Sequence, residues 1–324
     1  FETIASNLDD AWSFDFLNEN QIIFTEQPGK IKIVTISSGE ILNVEGAPKV
    51  QYASQGGLSE IVLDPDFKKN NTLYLTYSAL NESGKSTLFL MSAELSNNSL
   101  INKKVIFEAN AFRRVPIHLG AKIDFLPDGT LLLTSGDGFD YKEQAQSLNN
   151  HFGKIIRLNK DGSVPSDNPF VDIPNALPEI FSYGHRNMQG LVVMEDGRIF
   201  EHEHGPRGGD EFNLIEPGKN YGWPAITYGI DYSGAVISPF TKMDGMEQPL
   251  KYWVPSIAPS DMIYYDGDLY PELKNSFLVT ALKSRDVKQI KKINSLFSEE
   301  SIFSNLKSRL RSIGISPSGE MYLL

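Results

Sequence analysis

Apolar residues along this chain come in short runs, many alternating with polar ones, and Gly, Asn, Asp or Pro bounds each run; long stretches with helical spacing are scarce. That pattern predicts an all-β protein of short strands and tight turns. One unit recurs, a turn of Asn, Asp, Ser or Gly passing straight into a strand of large apolar side chains. It reads Asn20-Gln21-Ile22-Ile23-Phe24-Thr25, Asn71-Thr72-Leu73-Tyr74-Leu75-Thr76, Asp128-Gly129-Thr130-Leu131-Leu132-Leu133 and Asp196-Gly197-Arg198-Ile199-Phe200. Weaker copies follow at Asn275-Ser276-Phe277-Leu278-Val279 and Ser318-Gly319-Glu320-Met321-Tyr322-Leu323.

Six copies spaced roughly 43 to 79 residues apart suit blades of about 40 to 50 residues, some carrying insertions, and predict a six-bladed β-propeller. The pattern alone also allows a sandwich or two smaller β domains, because hairpins with Asp-Gly turns occur in every all-β fold. No linker-like stretch divides the chain, so residues 1–324 are expected to form a single propeller domain. The segment from Lys283 to Arg309 is the one with a helix-like mix of Lys, Ser, Leu and Glu, placed at the surface or at an edge.

Length and composition sharpen this picture without changing it. The 324 residues exceed the usual single-domain size, yet propellers run long as one unit. A content of 40% hydrophobic and 11% aromatic residues fills a sizeable core, and 26 Gly and 18 Pro supply turns. A formal charge of −11 argues against a nucleic-acid partner, which would need clustered Lys and Arg to displace counterions. The absence of cysteine removes disulfides, thiolate nucleophiles and Cys-ligated metals together. No run of 18 apolar residues occurs, and Phe1 opens no basic-then-apolar leader. No membrane insertion is expected, and any signal peptide is expected to be already removed or never present.

In a propeller, loops from distant parts of the chain converge around one ligand, so the polar runs are read together. His118 stands on a loop before a strand, where an imidazole of ordinary pKa near 6.5 can serve as a general base or simply hydrogen-bond the loop. The run Tyr183-Gly184-His185-Arg186-Asn187-Met188-Gln189-Gly190 can hold a planar, polyanionic, carbonyl-bearing ligand, Arg bidentately and the amides as donors and acceptors; a solvated polar turn is the alternative. In Glu201-His202-Glu203-His204-Gly205-Pro206-Arg207-Gly208-Gly209-Asp210-Glu211, carboxylates and bent backbone offer the oxygens calcium prefers. His202 and His204 share a face if the stretch is a strand and raise zinc as the lesser choice, with no third ligand evident. Lys283 and the pair Arg309 and Arg311, alternating in Arg309-Leu310-Arg311, offer clustered positive charge for an anionic cofactor or plain solvated charge.

Together these runs resemble the glucose/sorbosone dehydrogenase family. The resemblance runs in chain order through Gln55-Gly56-Gly57-Leu58 leading to Asp64-Pro65-Asp66-Phe67, His118-Leu119-Gly120, Gly153-Lys154-Ile155-Ile156-Arg157-Leu158, and Gly184 to Gly190. It continues through Glu203 to Glu211, Asn220-Tyr221-Gly222-Trp223-Pro224 and Pro255-Ser256-Ile257-Ala258-Pro259-Ser260, and so spans nearly the whole chain. Within the family the chain looks most like the bacterial aldose sugar dehydrogenases.

The resemblance implies a periplasmic or secreted oxidoreductase that uses pyrroloquinoline quinone (PQQ) and calcium to oxidise the anomeric carbon of an aldose to a lactone, passing electrons to an unidentified acceptor. It implies His118 as the base that takes the anomeric hydroxyl proton and Arg186 as the group over the quinone's reactive carbonyl. Asn187 would bind a cofactor oxygen, with Gln189 in the same motif. Backbone carbonyls of Gly205 and Pro206 would hold calcium, and Lys283, Arg309 and Arg311 would pair with cofactor carboxylates. Gln55 falls where the family approaches cofactor or sugar, Tyr232 matches an aromatic at the cofactor, and Glu211 and Tyr221 fall where another calcium binds. Two departures stand out: Ser312 follows Arg311 where the family usually has Asp, and Ile117 before His118 is apolar where glucose-oxidising relatives can carry a polar sugar contact. Two other classes compete: a calcium-dependent lactonase-type propeller hydrolase, which needs no Lys and Arg cluster, and a non-catalytic propeller binding module, which needs neither His118 nor Arg186.

Overall fold

The structure is a computed structural model that describes residues 1–294 and 296–324. Its strands form antiparallel meanders in which each strand pairs with the next in sequence. The first sheet is β1 (Ala11–Asn18), β2 (Gln21–Glu26), β3 (Lys30–Thr35) and β4 (Ile41–Val44); the second is β5 (Leu58–Leu63), β6 (Thr72–Leu80), β7 (Ser86–Ser96) and β8 (Ser99–Glu108). The third is β9 (Gly120–Phe125), β10 (Leu131–Ser135), β11 (Lys154–Leu158) and β12 (Ile180–Tyr183). The fourth is β13 (Met188–Val193), β14 (Ile199–Glu203), β15 (Asp210–Ile215) and β16 (Lys251–Trp253), and the fifth β17 (Pro259–Tyr265), β18 (Ser276–Ala281), β19 (Val287–Ile293) and β20 (Leu296–Ile302). Among the described residues the last two strands, β21 (Ile313–Ile315) and β22 (Met321–Leu323), pair only with each other.

The described residues therefore form an all-β propeller fold with five four-stranded blades, and the six-bladed expectation is corrected. The source of the miscount is visible in the elements. Each of the first five turn-and-strand copies becomes the second strand of a blade, namely β2, β6, β10, β14 and β18. The sixth copy becomes β22, which among the described residues pairs with the three-residue β21 and has no third or fourth strand beside it. Second strands advertise themselves because both of their faces are covered: β10, β14 and β18 are buried along their whole length, whereas β22 is half-buried throughout.

The chain divides into two compact units. Residues Phe1–Ile117 with Gly314–Leu324 hold the first two blades. There β2 and β3 send Ile23, Ile31 and Ile33 to a core shared with Leu58, Ile61, Leu73 and Leu75 of the second blade. The alternate positions Ile22, Phe24 and Val34 pack with Phe14, Phe16 and Tyr322, so one strand period of two serves two cores. Residues His118–Ile313 hold the other three blades. Leu132, Ile155 and Phe181 pack against Met188, Leu191 and Ile199, and Phe200, Phe212 and Trp253 against Met262, Phe277 and Val279. The segment from Lys283 to Arg309, expected to be helix-like, forms the hairpin of β19 and β20. Its run Ser298-Glu299-Glu300-Ser301 belongs to the edge strand β20, which is largely exposed, a place where such residues discourage further pairing.

Phe212 is fully buried on β15, with ring centroids 5.7 Å from Phe200 and 5.1 Å from Phe277. Truncation to alanine deletes most of that contact, so Phe212→Ala is expected to lower the unfolding free energy by about 3–5 kcal/mol, measured by denaturant titration.

Candidate active site

The entry to β9 is an unusual piece of backbone. His118, Gly120 and Ala121 have φ of +47°, +68° and +78°, a region that costs a side-chain-bearing residue on the order of 1–3 kcal/mol unless its surroundings impose it. They do so here. Gly120 N–H donates to Asn187 Oδ1 (3.2 Å), its carbonyl accepts from Gln189 Nε2 (3.1 Å), and Gly136 N–H donates to the Leu119 carbonyl (3.1 Å). Gly136 is required by closeness, since a Cβ there would lie 2.3 Å from the His118 carbonyl oxygen.

This corner presents the buried His118 imidazole to Asp137, with Nδ1 2.8 Å from Oδ1. Trp223 Nε1 donates to the other carboxylate oxygen (2.7 Å) and Phe139 N–H to Oδ1 (2.9 Å). Burial pushes the Asp137 carboxyl up, but the hydrogen bond and charge of His118, the charge of Arg186 and the Phe139 N–H outweigh it and hold the group below its ordinary value. An ionised Asp137 fixes the proton of His118 on Nδ1 and makes Nε2 the basic nitrogen.

Arg186 follows at the β12–β13 connection. Its Nη1 donates to the carbonyls of His204 (2.9 Å) and Gly205 (2.7 Å), and its guanidinium lies over the Trp223 ring at 5.2 Å. Its backbone N–H donates to Glu203, and its buried Nε has no protein acceptor among the described residues. The Gly205 to Gly209 bend stays tight because a Cβ on Gly205 would sit 2.2 Å from Gly209 and one on Gly209 2.6 Å from Gly229 N. Beside this bend opens a cavity of about 960 Å³ lined by His204, Gly205, Pro206, Tyr228, Tyr232, Val254, Lys283 and Arg309. Phe139 links it to the base: its ring meets His118 edge-on at 5.2 Å and stacks with Tyr232 at 6.3 Å.

The second unit thus gathers His118, Arg186, Asn187, Gln189, Gly205, Pro206, Tyr232, Lys283 and Arg309, with half-buried Arg311 two residues from Arg309. Gln189 spends its amide N–H on the carbonyls of Gly120 and Met188 (each 3.1 Å), so it shapes the His118 corner. Gln55 belongs to the first unit, where its N–H donates to Pro116 and its carbonyl accepts from Gln27.

A second cluster lies on β14 and β15. Ligand-capable atoms of His185, Glu201 and Glu203, all buried, fall within 4.8 Å of one another. Strand parity explains it: Glu201 and Glu203 share one face, and across the register they oppose Asn213 and Glu211. Burial raises Glu201 and Glu203 well above the ordinary range, each helped by a neighbouring carboxylate, and burial with the Asp210 charge lifts Glu211 to about 8. Glu201 Oε1, Asn213 Oδ1 and His185 Nδ1 have no hydrogen-bond partner among the described residues. Close buried acceptors without a donor could hold a cation, and the majority of oxygens in the group of His185, Glu201 and Glu203 suits calcium. The Tyr221 ring stacks on His185 at 4.6 Å, and its hydroxyl is engaged with the Leu214 carbonyl and the Glu216 N–H, so any ligand it offers is backbone. The zinc alternative finds no support: His204 Nε2 is held by the Pro259 carbonyl (2.6 Å), and the metal-capable group contains neither His202 nor His204.

Asp137 and Trp223 are the residues that sequence reasoning left without roles. The available signal for Asp137 was Ser135-Gly136-Asp137-Gly138, an acid between glycines at a strand end, which also spells an ordinary turn.

An ordered imidazole–carboxylate pair, a guanidinium and further cations around a cavity on propeller blades define an oxidoreductase-like or hydrolase-like small-molecule site. Comparison decides between them. The family profile described as Glucose / Sorbosone dehydrogenase matches residues 8–324, and the chain belongs to that family. It is 34% identical over 334 residues to the aldose sugar dehydrogenase YliI of Escherichia coli, covering 100% of this chain and 89% of that protein. It is 31% identical to quinoprotein glucose dehydrogenase B of Acinetobacter calcoaceticus over 72% of this chain and 54% of that protein. The apo-form crystal structure of the soluble aldose sugar dehydrogenase from Escherichia coli superposes with a TM-score of 0.95 at 31% identity, covering 100% of this chain and 95% of that one. No helix among the described residues is long and apolar enough to cross a membrane.

Proposed function

We propose that this protein oxidises the anomeric carbon of an aldose to the lactone with PQQ and calcium. The observation that carries the reading is His118, ordered by Asp137, joined through Phe139 and Tyr232 to a cavity rimmed by Lys283 and Arg309 in a chain of net charge −11. The residues fit a tricarboxylate quinone: Arg186 Nε is a buried donor lacking an acceptor, and the rim supplies cations where an anion would rest. A hydrolase needs no such rim.

When bound, PQQ supplies the acceptor for the hydride leaving the anomeric carbon, and calcium on the carbonyls of Gly205 and Pro206 supplies positive charge beside it. His118 Nε2 takes the hydroxyl proton of the sugar as the C–H bond breaks, which avoids building positive charge on the ring. Asp137 stabilises the imidazolium so formed. Arg186, anchored by two carbonyls and the Trp223 face, holds a fixed positive charge where electron density arrives. Asn187, whose oxygen is taken by Gly120 N–H, would donate its amide N–H to a cofactor oxygen, and Tyr232 walls the cavity. Lys283, Arg309 and Arg311 would pair with carboxylates of the cofactor, and Glu211 and the Tyr221 backbone, with Glu201 and Glu203, would hold a second calcium.

The test is reconstitution: metal-free protein given PQQ and calcium is expected to reduce an artificial dye when aldoses are added. Absence of dye reduction across a broad aldose panel would refute the proposal. Arg311→Ala is expected to weaken PQQ binding by about tenfold or more, the loss of one charge-assisted contact, while the sugar KM changes little. Equal effects on both constants would remove Arg311 from the cofactor side.

A further inference from the structure

The segment bearing Arg309 and Arg311 connects β20 to β21, and its hold on the blades comes from the head of β17. Ser260 Oγ donates to the Leu310 carbonyl at 2.6 Å. The next residue, Asp261, accepts at Oδ2 from both Ser312 Oγ and the Ile313 N–H (3.2 Å). Two successive residues of one strand therefore grip the backbone on both sides of Arg311. The other carboxylate oxygen of Asp261 accepts from Lys122 Nζ at 2.8 Å and from Met262 N–H at 3.0 Å. Lys122 sits on β9, four residues beyond His118. Asp261, Lys122 and Ser312 are 6%, 8% and 4% exposed, so water competes little for these bonds.

We infer that Asp261 is a positioning residue for cofactor binding, fixing the Arg309–Arg311 segment at the cavity and registering it, through Lys122, against the strand that His118 leads into. The inference rests on the reading that these arginines hold the anionic quinone. It also gives physical content to Ser312: the carboxylate that the family pattern puts after the second arginine comes here from β17, and a hydroxyl is the complementary donor. Lys122 balances the charge of Asp261, and the bonds of the carboxylate to Ser312 and the Ile313 N–H carry its effect to the arginines through the backbone.

The test measures PQQ affinity by titration of folded apo-protein, with the sugar KM at saturating PQQ as second readout. Asp261→Asn keeps the volume but cannot accept every bond and leaves Lys122 unbalanced; PQQ binding is expected to weaken about tenfold, with the sugar KM changed by less than about twofold. Ser312→Asp sets two buried carboxylates against each other and is expected to weaken PQQ binding similarly, and Asp261→Asn/Ser312→Asp, which leaves one carboxylate, is expected to recover most of it. Should Asp261→Asn fail to fold, Ser312→Ala, which removes one grip and keeps the Lys122 pair, is expected to weaken PQQ about threefold. PQQ binding unchanged in Asp261→Asn or Ser312→Ala, or no recovery in the double variant, overturns the inference while the cofactor reading stands. A parent protein that does not bind PQQ overturns both.

Discussion

His118→Ala is expected to lower turnover by two to four orders of magnitude, roughly the range of general-base catalysis, while PQQ still binds to the apo-protein. The separation follows from the geometry. The imidazole is ordered by Asp137 and touches Phe139, whereas the cations that suit the quinone, Lys283 and Arg309, lie on the cavity rim. Asp137→Asn should lose most of the same activity by another route. An amide can donate to His118 Nδ1, which moves the imidazole proton to Nε2 and removes the lone pair that the proposed base needs. Its pH profile separates the two effects, since the missing carboxylate no longer stabilises the imidazolium and the base weakens. Dye-reduction kinetics with parallel PQQ titrations check both variants. Unchanged turnover in His118→Ala would remove the residue from the mechanism.

Legibility in the sequence followed how locally each feature is determined. The second strands of the blades were readable because burial on both faces demands apolar residues at every position, as in Leu131-Leu132-Leu133. The edge strand β20 was not, because its Ser-Glu-Glu-Ser run is set by exposure, by avoidance of further pairing and by partners distant in sequence, such as the Trp253 indole and Lys251 that meet Glu299. The blade count failed since a repeat of second strands says nothing about partners, and among the described residues β22 has only one. His118 and Arg186 stood out through motif density. Asp137 did not, since its partners His118 and Trp223 lie 19 and 86 residues away. The acidic run at Glu201 was visible as a metal candidate, but strand register decided its grouping and put His202 on the opposite face from Glu201 and Glu203.

The buried carboxylates on β14 and β15 carry the second large expectation: calcium stabilises the protein strongly at alkaline pH and weakly at acidic pH. In metal-free protein, burial raises Glu201 and Glu203 well above their unfolded values and Glu211 to about 8. The folded state then binds more protons than the unfolded chain, so this contribution is full below the unfolded glutamate range and is lost as pH rises toward about 8. Calcium reverses the balance because it needs the ionised forms: protons compete with it at low pH, and its affinity grows as they leave. At pH about 8.5, millimolar calcium is expected to raise Tm by on the order of 5–10 °C over EDTA, with little difference at pH about 5.5. Glu203→Gln should shrink the calcium effect and raise the metal-free Tm at the higher pH, since one buried charge is gone. That variant also separates this site from calcium at Gly205 and Pro206, whose carbonyl ligands carry no protons to displace. Equal melting temperatures with and without calcium at pH 8.5 would mean that the three glutamates settle their repulsion by keeping protons, with no cation among them.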